Sequence, residues 1–309
     1  MTDISVLPGI TVVIPTINRA DVLVDTVQDM LCQDFENYEL IVIDQSSEIN
    51  NKVVDLLNKS LVSTRYYMAE FSGLPLARNF GWQHALRSIV LYVDDDIRCN
   101  KEFVRAHFNA HKERDAVMIA GGIEEARGNT NMRGAAGSFI YWTATSIRNF
   151  HDRKAGLCLH APGGNFSVQR KVFEEVAGFD ENFAVGAALY EETEFALRMG
   201  SYGYKSWFEP NAKLLHLESP TGGCRVPDDW TRYMYGMSHN RSILIFRHLR
   251  WWYRPTAVIR LLLYGVSYSR LDWSLGPFWA TIRGILSGRR LADRPLFSDN
   301  LQAAECTFC

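Results

Sequence analysis

The run Ile89-Val90-Leu91-Tyr92-Val93 closes directly on Asp94-Asp95-Asp96, and no other feature restricts the fold of this chain so strongly. An apolar run of this length, without polar alternation, is the pattern of a strand covered on both faces, as in parallel sheets flanked by helices. Adjacent carboxylates at the buried end of such a strand repel one another and lose hydration, and a bound cation removes both costs. Alternation along an extended backbone puts Asp94 and Asp96 on one side and turns Asp95 elsewhere, so the outer pair suits a hard divalent cation, Mn2+ or Mg2+. The other reading is an acidic turn capping the next helix, although Asn100 already stands at the N-cap position.

The rest of the chain fits a mostly parallel sheet. Ile10–Ile14 reads as a strand closed by Pro15, Ala20–Leu31 as a helix, Leu40–Ile43 as a strand, Asn51–Leu61 as a helix, Thr64–Met68 as a strand and Leu74–Arg87 as a helix. After Asn100 a helix is expected over Lys101–Lys112, a strand over Val117–Ala120, and a mobile Gly-rich loop over Gly121–Gly137. A strand at Phe166–Val168 and helices near Lys171–Val176 and Glu191–Met199 follow. Alternating strands and helices imply an α/β fold whose ligands gather at the carboxyl ends of the strands. From Trp230 the pattern is helical, with breaks at Pro255 and Pro277. The 309 residues, 47% of them hydrophobic, suffice for one large domain with an appendage. The expected division is a catalytic domain over 1–224, with halves of about 8–115 and 116–224, and a helical region over 225–309.

Charge divides at the same place. From Arg225 onward there are 12 Arg, no Lys and 6 acids, whereas the preceding part carries 21 basic and 29 acidic residues, so a net of −8 is followed by a net of +6. An acidic body with a basic, Trp-rich tail suits a metal site followed by an element that approaches anions or a membrane. Arg247, Arg250, Trp251, Trp252, Arg254, Arg260 and Arg270 lie among aliphatic residues. That mixture serves equally a peripheral helix in a membrane interface or a helix packed on the catalytic domain or on the second subunit of a homodimer. No nucleic-acid partner is expected. Thr256–Tyr268 is interrupted by Arg260 and is shorter than the roughly 20 residues a membrane span needs. No signal peptide is visible, so the expected location is cytoplasmic, including the inner face of the membrane. Of the six cysteines only Cys306 and Cys309 have C-x-x-C spacing, and free thiols are the default.

Further chemistry-bearing residues follow in order. Thr16, Asn18, Arg19 and Asp44 stand at the ends of the first strands, with Arg78 and Asn79 in the helix after Gly73. Arginine suits diphosphate oxygens through its permanent charge and forked donors, while Arg19 and Asp21 could equally only begin a helix. Pro162-Gly163-Gly164-Asn165 lets the backbone come close to a ligand. Glu191, Glu192 and Glu194 open a helix, as its dipole favours, or supply a general base. His216 beside Leu214 and Leu215 is by itself a structural histidine. Trp142, Tyr141 and Tyr190 are aromatic candidates for stacking on a ligand ring.

In this order the segments Val12 to Arg19, Glu39 to Asp44, Ala77-Arg78-Asn79, Tyr92 to Asp96, Gly164 to Val168, Gly178-Phe179-Asp180, Glu191 to Phe195 and Leu214-Leu215-His216 resemble glycosyltransferase family 2, with its GT-A fold. The resemblance spans Ile10 to His216. It implies an inverting transferase that moves a sugar from a nucleoside-diphosphate sugar to a hydroxyl of a carbohydrate or lipid-linked acceptor in cell-envelope synthesis. It also implies that Pro15, Thr16, Asn18, Arg19, Asp44, Gln45, Arg78 and Asp95 bind nucleotide, that Asp94, Asp96 and His216 hold the metal, and that Gly163, Gly164, Asn165, Trp142 and Tyr190 adjoin the sugars. Glu192 would be the base with Glu191 beside it, one methylene longer than the family's usual Asp. Gln45 and Ile17 replace the family's common Asp and Tyr near the nucleobase, so the base is left open. A nucleotidyltransferase would want Gly and Lys in the first turn, and Pro15 to Arg19 has neither. Acids at both the metal and the base positions count against a non-catalytic nucleotide- or carbohydrate-binding protein.

Overall fold

The computed structural model describes residues 7–129, 131–186, 189–219 and 229–306. Strand β1 (Leu7–Thr16) leads through helix α1 (Ala20–Leu31) to β2 (Tyr38–Asp44), then α2 (Asn51–Asn58), β3 (Ser63–Ala69), α3 (Leu74–Gln83) and β4 (Arg87–Val93). A short β5 (Ile97–Cys99), α4 (Phe103–Glu113) and β6 (Met118–Glu125) follow. Next come a hairpin of β7 (Ser138–Ile140) and β8 (Thr145–Ile147), then β9 (Gly156–Cys158), β10 (Asn165–Gln169), α5 (Arg170–Val176), α6 (Glu191–Ser201) and β11 (Ser206–His216). Three helices, α7 (Trp230–His248), α8 (Arg254–Leu271) and α9 (Gly276–Leu291), precede a final strand β12 (Ala303–Glu305).

The large sheet has the order β12-β3-β2-β1-β4-β10-β6-β11-β5, with β9 on β11. β1, β2, β3 and β4 are parallel, and their apolar runs are buried because helices cover both faces. β10 runs antiparallel to β4 with Asn165 opposite Val93, so the segment that enters β10 lies at the carboxyl end of β4. β11 is parallel to β6 and antiparallel to β5, which aligns His216 with both Glu125 and Ile97. These registers bring segments about 120 residues apart in sequence to one edge of the sheet, the edge at which α/β folds place their sites.

Several elements differ from expectation for identifiable reasons. Helices α2 and α3 stop at Asn58 and Gln83, short of Leu61 and Arg87. The interval expected to be a Gly-rich loop is strand as far as Glu125, because its backbone has β11 to pair with. Asn100 does not cap α4, whose N-cap is Glu102. β5, β9 and β12 are too short to carry a periodic signal and exist through their partners.

The C-terminal helices pack on the α/β body. The middle of α7, from Gly236 to Ile245, is wholly buried. Gly284 and Gly288 of α9 face its backbone so closely that a Cβ on either would lie 2.6 Å from the Tyr235 carbonyl or 2.1 Å from that of His239. Inside this joint Glu194 of α6 is fully buried and accepts from Arg198 at 3.0 Å, Arg247 at 2.9 Å and His248 at 3.1 Å, while Arg247 also meets Asp180 at 2.8 Å. Several tail arginines are therefore internal struts. Arg241 holds the carbonyls of Thr143 and Ala144, and Arg254 holds those of Phe246 and Leu249. β12 then returns to add a three-residue antiparallel strand to β3, covering part of its edge with a short edge strand. The expected boundary at 224–225 and Cys309 lie outside the described residues.

Candidate active site

Asp94, Asp95 and Asp96 leave β4 in three directions. Asp96 is fully buried: its Oδ2 accepts the Ser219 N–H at 2.8 Å and faces Arg19 Nη1 at 3.2 Å, while Oδ1 faces His216 Nε2 at 3.2 Å. Asp94, about a third exposed, has Oδ2 at 3.8 Å from the same imidazole nitrogen. One ligand atom from each of Asp94, Asp96 and His216 lies within 4.8 Å of the others. Asp95 is turned away, as alternation requires, and is held by Thr16 Oγ1 at 2.7 Å and Arg19 Nη1 at 2.7 Å, while Thr26 Oγ1 donates to its carbonyl at 2.8 Å.

The electrostatics follow from these contacts. Burial pushes the Asp95 carboxyl up to about 6 against the pull of Arg19 and Thr16. Burial also acts upward on Asp96, but His216, Arg19 and the Ser219 N–H outweigh it and leave it below the usual range. Desolvation raises Asp94, opposed by His216 and Arg78. Desolvation would lower His216, yet Asp96, Glu125 and Asp94 raise it to about 10. Glu125 was not anticipated from sequence: its Oε2 lies 2.7 Å from His216 Nδ1. It thereby fixes the imidazole with Nε2 toward the aspartates. Only the β6–β11 register reveals it, because nothing in Glu124-Glu125 itself points to a histidine.

The donor set fits a hard or borderline divalent cation, with two carboxylates and an imidazole oriented by a third carboxylate. Asp96 Oδ1 is buried, and its one near polar partner among the described residues is His216 Nε2 at 3.2 Å. A group that is otherwise costly to bury is what a cation site requires.

Gly163 and Gly164 join this cluster to the glutamates. A Cβ on Gly164 would stand 2.3 Å from Asp94 Oδ2, and one on Gly163 would stand 4.0 Å from the Glu192 carboxyl. Two adjacent residues thus separate the metal-type cluster from the carboxylate expected to be the base. Tyr190, with φ 76°, turns the chain into α6 so that Glu191 and Glu192 open its first turn. Glu191 is buried against Arg78, with which it forms an ion pair, and Arg78 Nη2 also donates to the Gly163 carbonyl at 2.7 Å. Burial, together with the charge of Glu192, pushes Glu191 upward while Arg78 pulls it down. Glu192 stays partly exposed, and its Oε1 accepts weakly from Thr193 at 3.4 Å.

The structure places the other expected site residues as follows. Arg78 is 1% exposed, boxed by Phe166, Phe179 and Tyr92, and paired with Glu191. Asn165 is 0% exposed, with Nδ2 on the carbonyls of Gly122 and Ala212 and Oδ1 on His107, so it is a strut beneath the loop and not a sugar contact. Tyr190 faces Arg241 in the C-terminal core, and Trp142 is exposed on the hairpin that leans on α8. Asp44 accepts from the Ser46 N–H at 2.9 Å and from Tyr66 Oη, and Gln45 accepts from the Gly73 N–H at 2.6 Å. Buried Pro15 and the turn residue Asn18, with φ 55° and its N–H on Ser46, complete the mouth of the first strands.

Several known proteins resemble this chain in sequence, and one resembles it in fold. Over 216 residues, 67% of this chain and 68% of the relative, the sequence is 24% identical to a GalNAc(5)-diNAcBac-PP-undecaprenol beta-1,3-glucosyltransferase of Campylobacter jejuni. Over 96 residues, 30% of this chain and 28% of the relative, it is 31% identical to an N-acetylglucosaminyl-diphospho-decaprenol L-rhamnosyltransferase of Mycobacterium tuberculosis. It matches only 18% of the length of an uncharacterized glycosyltransferase of Rickettsia felis and 35% of an Escherichia coli chondroitin synthase. A mannosyltransferase of Pyrobaculum calidifontis, solved with GDP-Man and Mn2+, has a similar fold, with a TM-score of 0.55 at 15% identity over 94% of this chain and 89% of that one. The model of glycosyl transferase family 2 matches residues 11–177, more than half of the chain, and with the sheet order and the strand-end acids in place, the chain belongs to that family.

Proposed function

We propose that this protein transfers a sugar from a nucleoside-diphosphate sugar to a hydroxyl of a lipid-linked or carbohydrate acceptor, with inversion, as a step in cell-envelope polysaccharide or glycolipid synthesis at the inner face of the membrane. The carrying observation is the Gly163-Gly164 junction, which sets the Glu192 carboxylate on one side and the Asp94–Asp96–His216 cluster on the other. A divalent cation, Mn2+ or Mg2+, held by Asp94, Asp96 and His216 would supply positive charge for a diphosphate leaving group. The relatives named for undecaprenol- and decaprenol-diphosphate acceptors support a lipid-linked acceptor.

The chain's own residues perform the remaining work. Glu192, exposed enough to meet an acceptor, takes the proton of the attacking hydroxyl. Glu191 is tied to buried Arg78, so the first turn of α6 cannot rotate and Glu192 is held facing Gly163. Thr16 and Arg19 fix Asp95 at the mouth of β1, where the nucleoside would lie between the turn at Asn18 and Gln45. The test is a donor-turnover assay with manganese, after a panel of nucleotide-sugars is screened for metal-dependent thermal stabilisation. Asp96→Ala should abolish metal-dependent turnover, and Glu192→Gln should keep donor binding and lose turnover. Full activity in either variant refutes the assigned role.

A further inference from the structure

Helices α8 and α9 show solvent the same pattern twice. On α8 the exposed residues Ile259, Leu263, Val266 and Arg270 recur at i, i+4, i+7 and i+11, and on α9 Trp279, Arg283, Leu286 and Arg290 repeat that spacing. Each set is one helical face. The turn between the helices carries Leu271, Trp273 and Leu275, with Trp273 95% and Leu275 68% exposed. A shallow groove lined by Val266, Arg270, Trp273, Leu275 and Phe278 joins the two helices through that turn. So much aliphatic and indole surface on one element is far from the scattered single exposures expected of a monomer.

Charge identifies the occupant. Between Arg254 and Leu291 there are six arginines and one acid, Asp272, whose Oδ2 accepts from Ser274. Arg254 and Arg260 are used internally, on helix carbonyls and on Tyr264, and Arg289, although exposed, lies over the Phe246 ring. Arg270, Arg283 and Arg290 are exposed and form no ion pair among the described residues. They stand in the same rows as the apolar residues, an arrangement in which side chains enter the acyl boundary while guanidinium groups stay among headgroups. A second copy of the chain is a poor occupant, because a two-fold contact would set these arginines against themselves. No helix is long and apolar enough to cross a membrane, so the face would lie on a bilayer and not span it.

We propose that the α8–α9 face, with the Leu271–Leu275 turn, docks on the surface of an anionic lipid bilayer. The proposal rests on the lipid-linked acceptor reading for its purpose, and on the exposed rows alone for its mechanism. The exposed Trp251 and Trp252 precede α8, and Thr256 of α8 donates to the carbonyl of exposed Trp142. From Trp142 the hairpin reaches α6, where Ser146 meets Thr193 beside Glu192, so a docked bundle would hold the acceptor side of the site close to the lipid.

The test is co-sedimentation of the full chain with vesicles of phosphatidylcholine and phosphatidylglycerol in equal parts, and with phosphatidylcholine alone. The parent should bind the mixed vesicles and bind phosphatidylcholine weakly, with affinity falling as salt rises. Replacing Arg270, Arg283 and Arg290 together by Gln should weaken binding by roughly 100-fold, at about fivefold per arginine. Trp273→Ser with Leu275→Ser should weaken binding to both vesicle types. Both variants should keep parental far-ultraviolet circular dichroism and vesicle-free donor turnover, which separates failure of docking from failure of the transferase reading. Equal binding to both vesicle types, undiminished binding by the arginine variant, or a parental dimer that the arginine variant dissolves would each overturn the proposal.

Discussion

Gly164→Ala probes the link between the loop and the cation site. The backbone at Gly164 does not need a positive φ, so alanine is conformationally allowed, and by narrowing the unfolded ensemble it would by itself add about 0.4–1 kcal/mol of stability. The new methyl would stand 2.3 Å from Asp94 Oδ2 and 2.6 Å from its Cγ, well inside the roughly 3.5–4.0 Å at which such atoms rest. The Asp94 carboxylate is about a third exposed, so it would swing outward and leave Asp96 and His216 behind, while the sheet beneath stays intact. Misplacing metal-site groups typically costs about 10–100-fold in affinity, or about 1.4–2.7 kcal/mol. Gly163→Ala is the internal control: its methyl meets Arg78 Nη2 at 3.4 Å and the Glu192 carboxyl at 4.0 Å, ordinary contacts that leave Asp94 in place. Calorimetric titration of Mn2+ into the parent and both variants, with thermal unfolding in chelator, reads binding and folding separately. Parental Mn2+ affinity in Gly164→Ala, or equal losses in the two variants, would refute the displacement of Asp94.

Two further perturbations address the supports of α6. Glu194→Gln leaves Arg198 buried without its counter-charge and Arg247 with Asp180 alone, and should cost about 3–5 kcal/mol in denaturant unfolding. Its contacts hold Glu194 well below the usual carboxylate range. The parent therefore has this stabilisation in full above about pH 4.3 and loses it as pH falls further, and the variant should lack that acid slope. Arg78→Met should destabilise by a similar amount, about 3–5 kcal/mol, by stranding Glu191, and should lower kcat more than KM because the first turn of α6 loosens. A large rise in KM with unchanged kcat would instead place Arg78 on the donor.

Buried strands and strand-end acids were legible because both are local patterns. Val90 to Asp96 announces in seven consecutive residues that a covered strand ends in carboxylates, and α1 was read with its observed bounds because its apolar residues recur along a single face. His216 and Glu192 needed the order of many short motifs, since neither is distinctive within its own segment. What the sequence by itself determined is therefore the alternation of elements, the family and the identity of the acids at the strand ends. Only the tertiary structure decided that Glu125 orients His216, that Arg78 serves Glu191, that Asn165 is a strut, and that some tail arginines are internal while Arg270, Arg283 and Arg290 face outward. Those outcomes depend on which atoms meet across strand pairs and helix joints from distant parts of the chain, and burial and charge pairing are properties of that meeting, with no trace in the spacing of neighbouring residues.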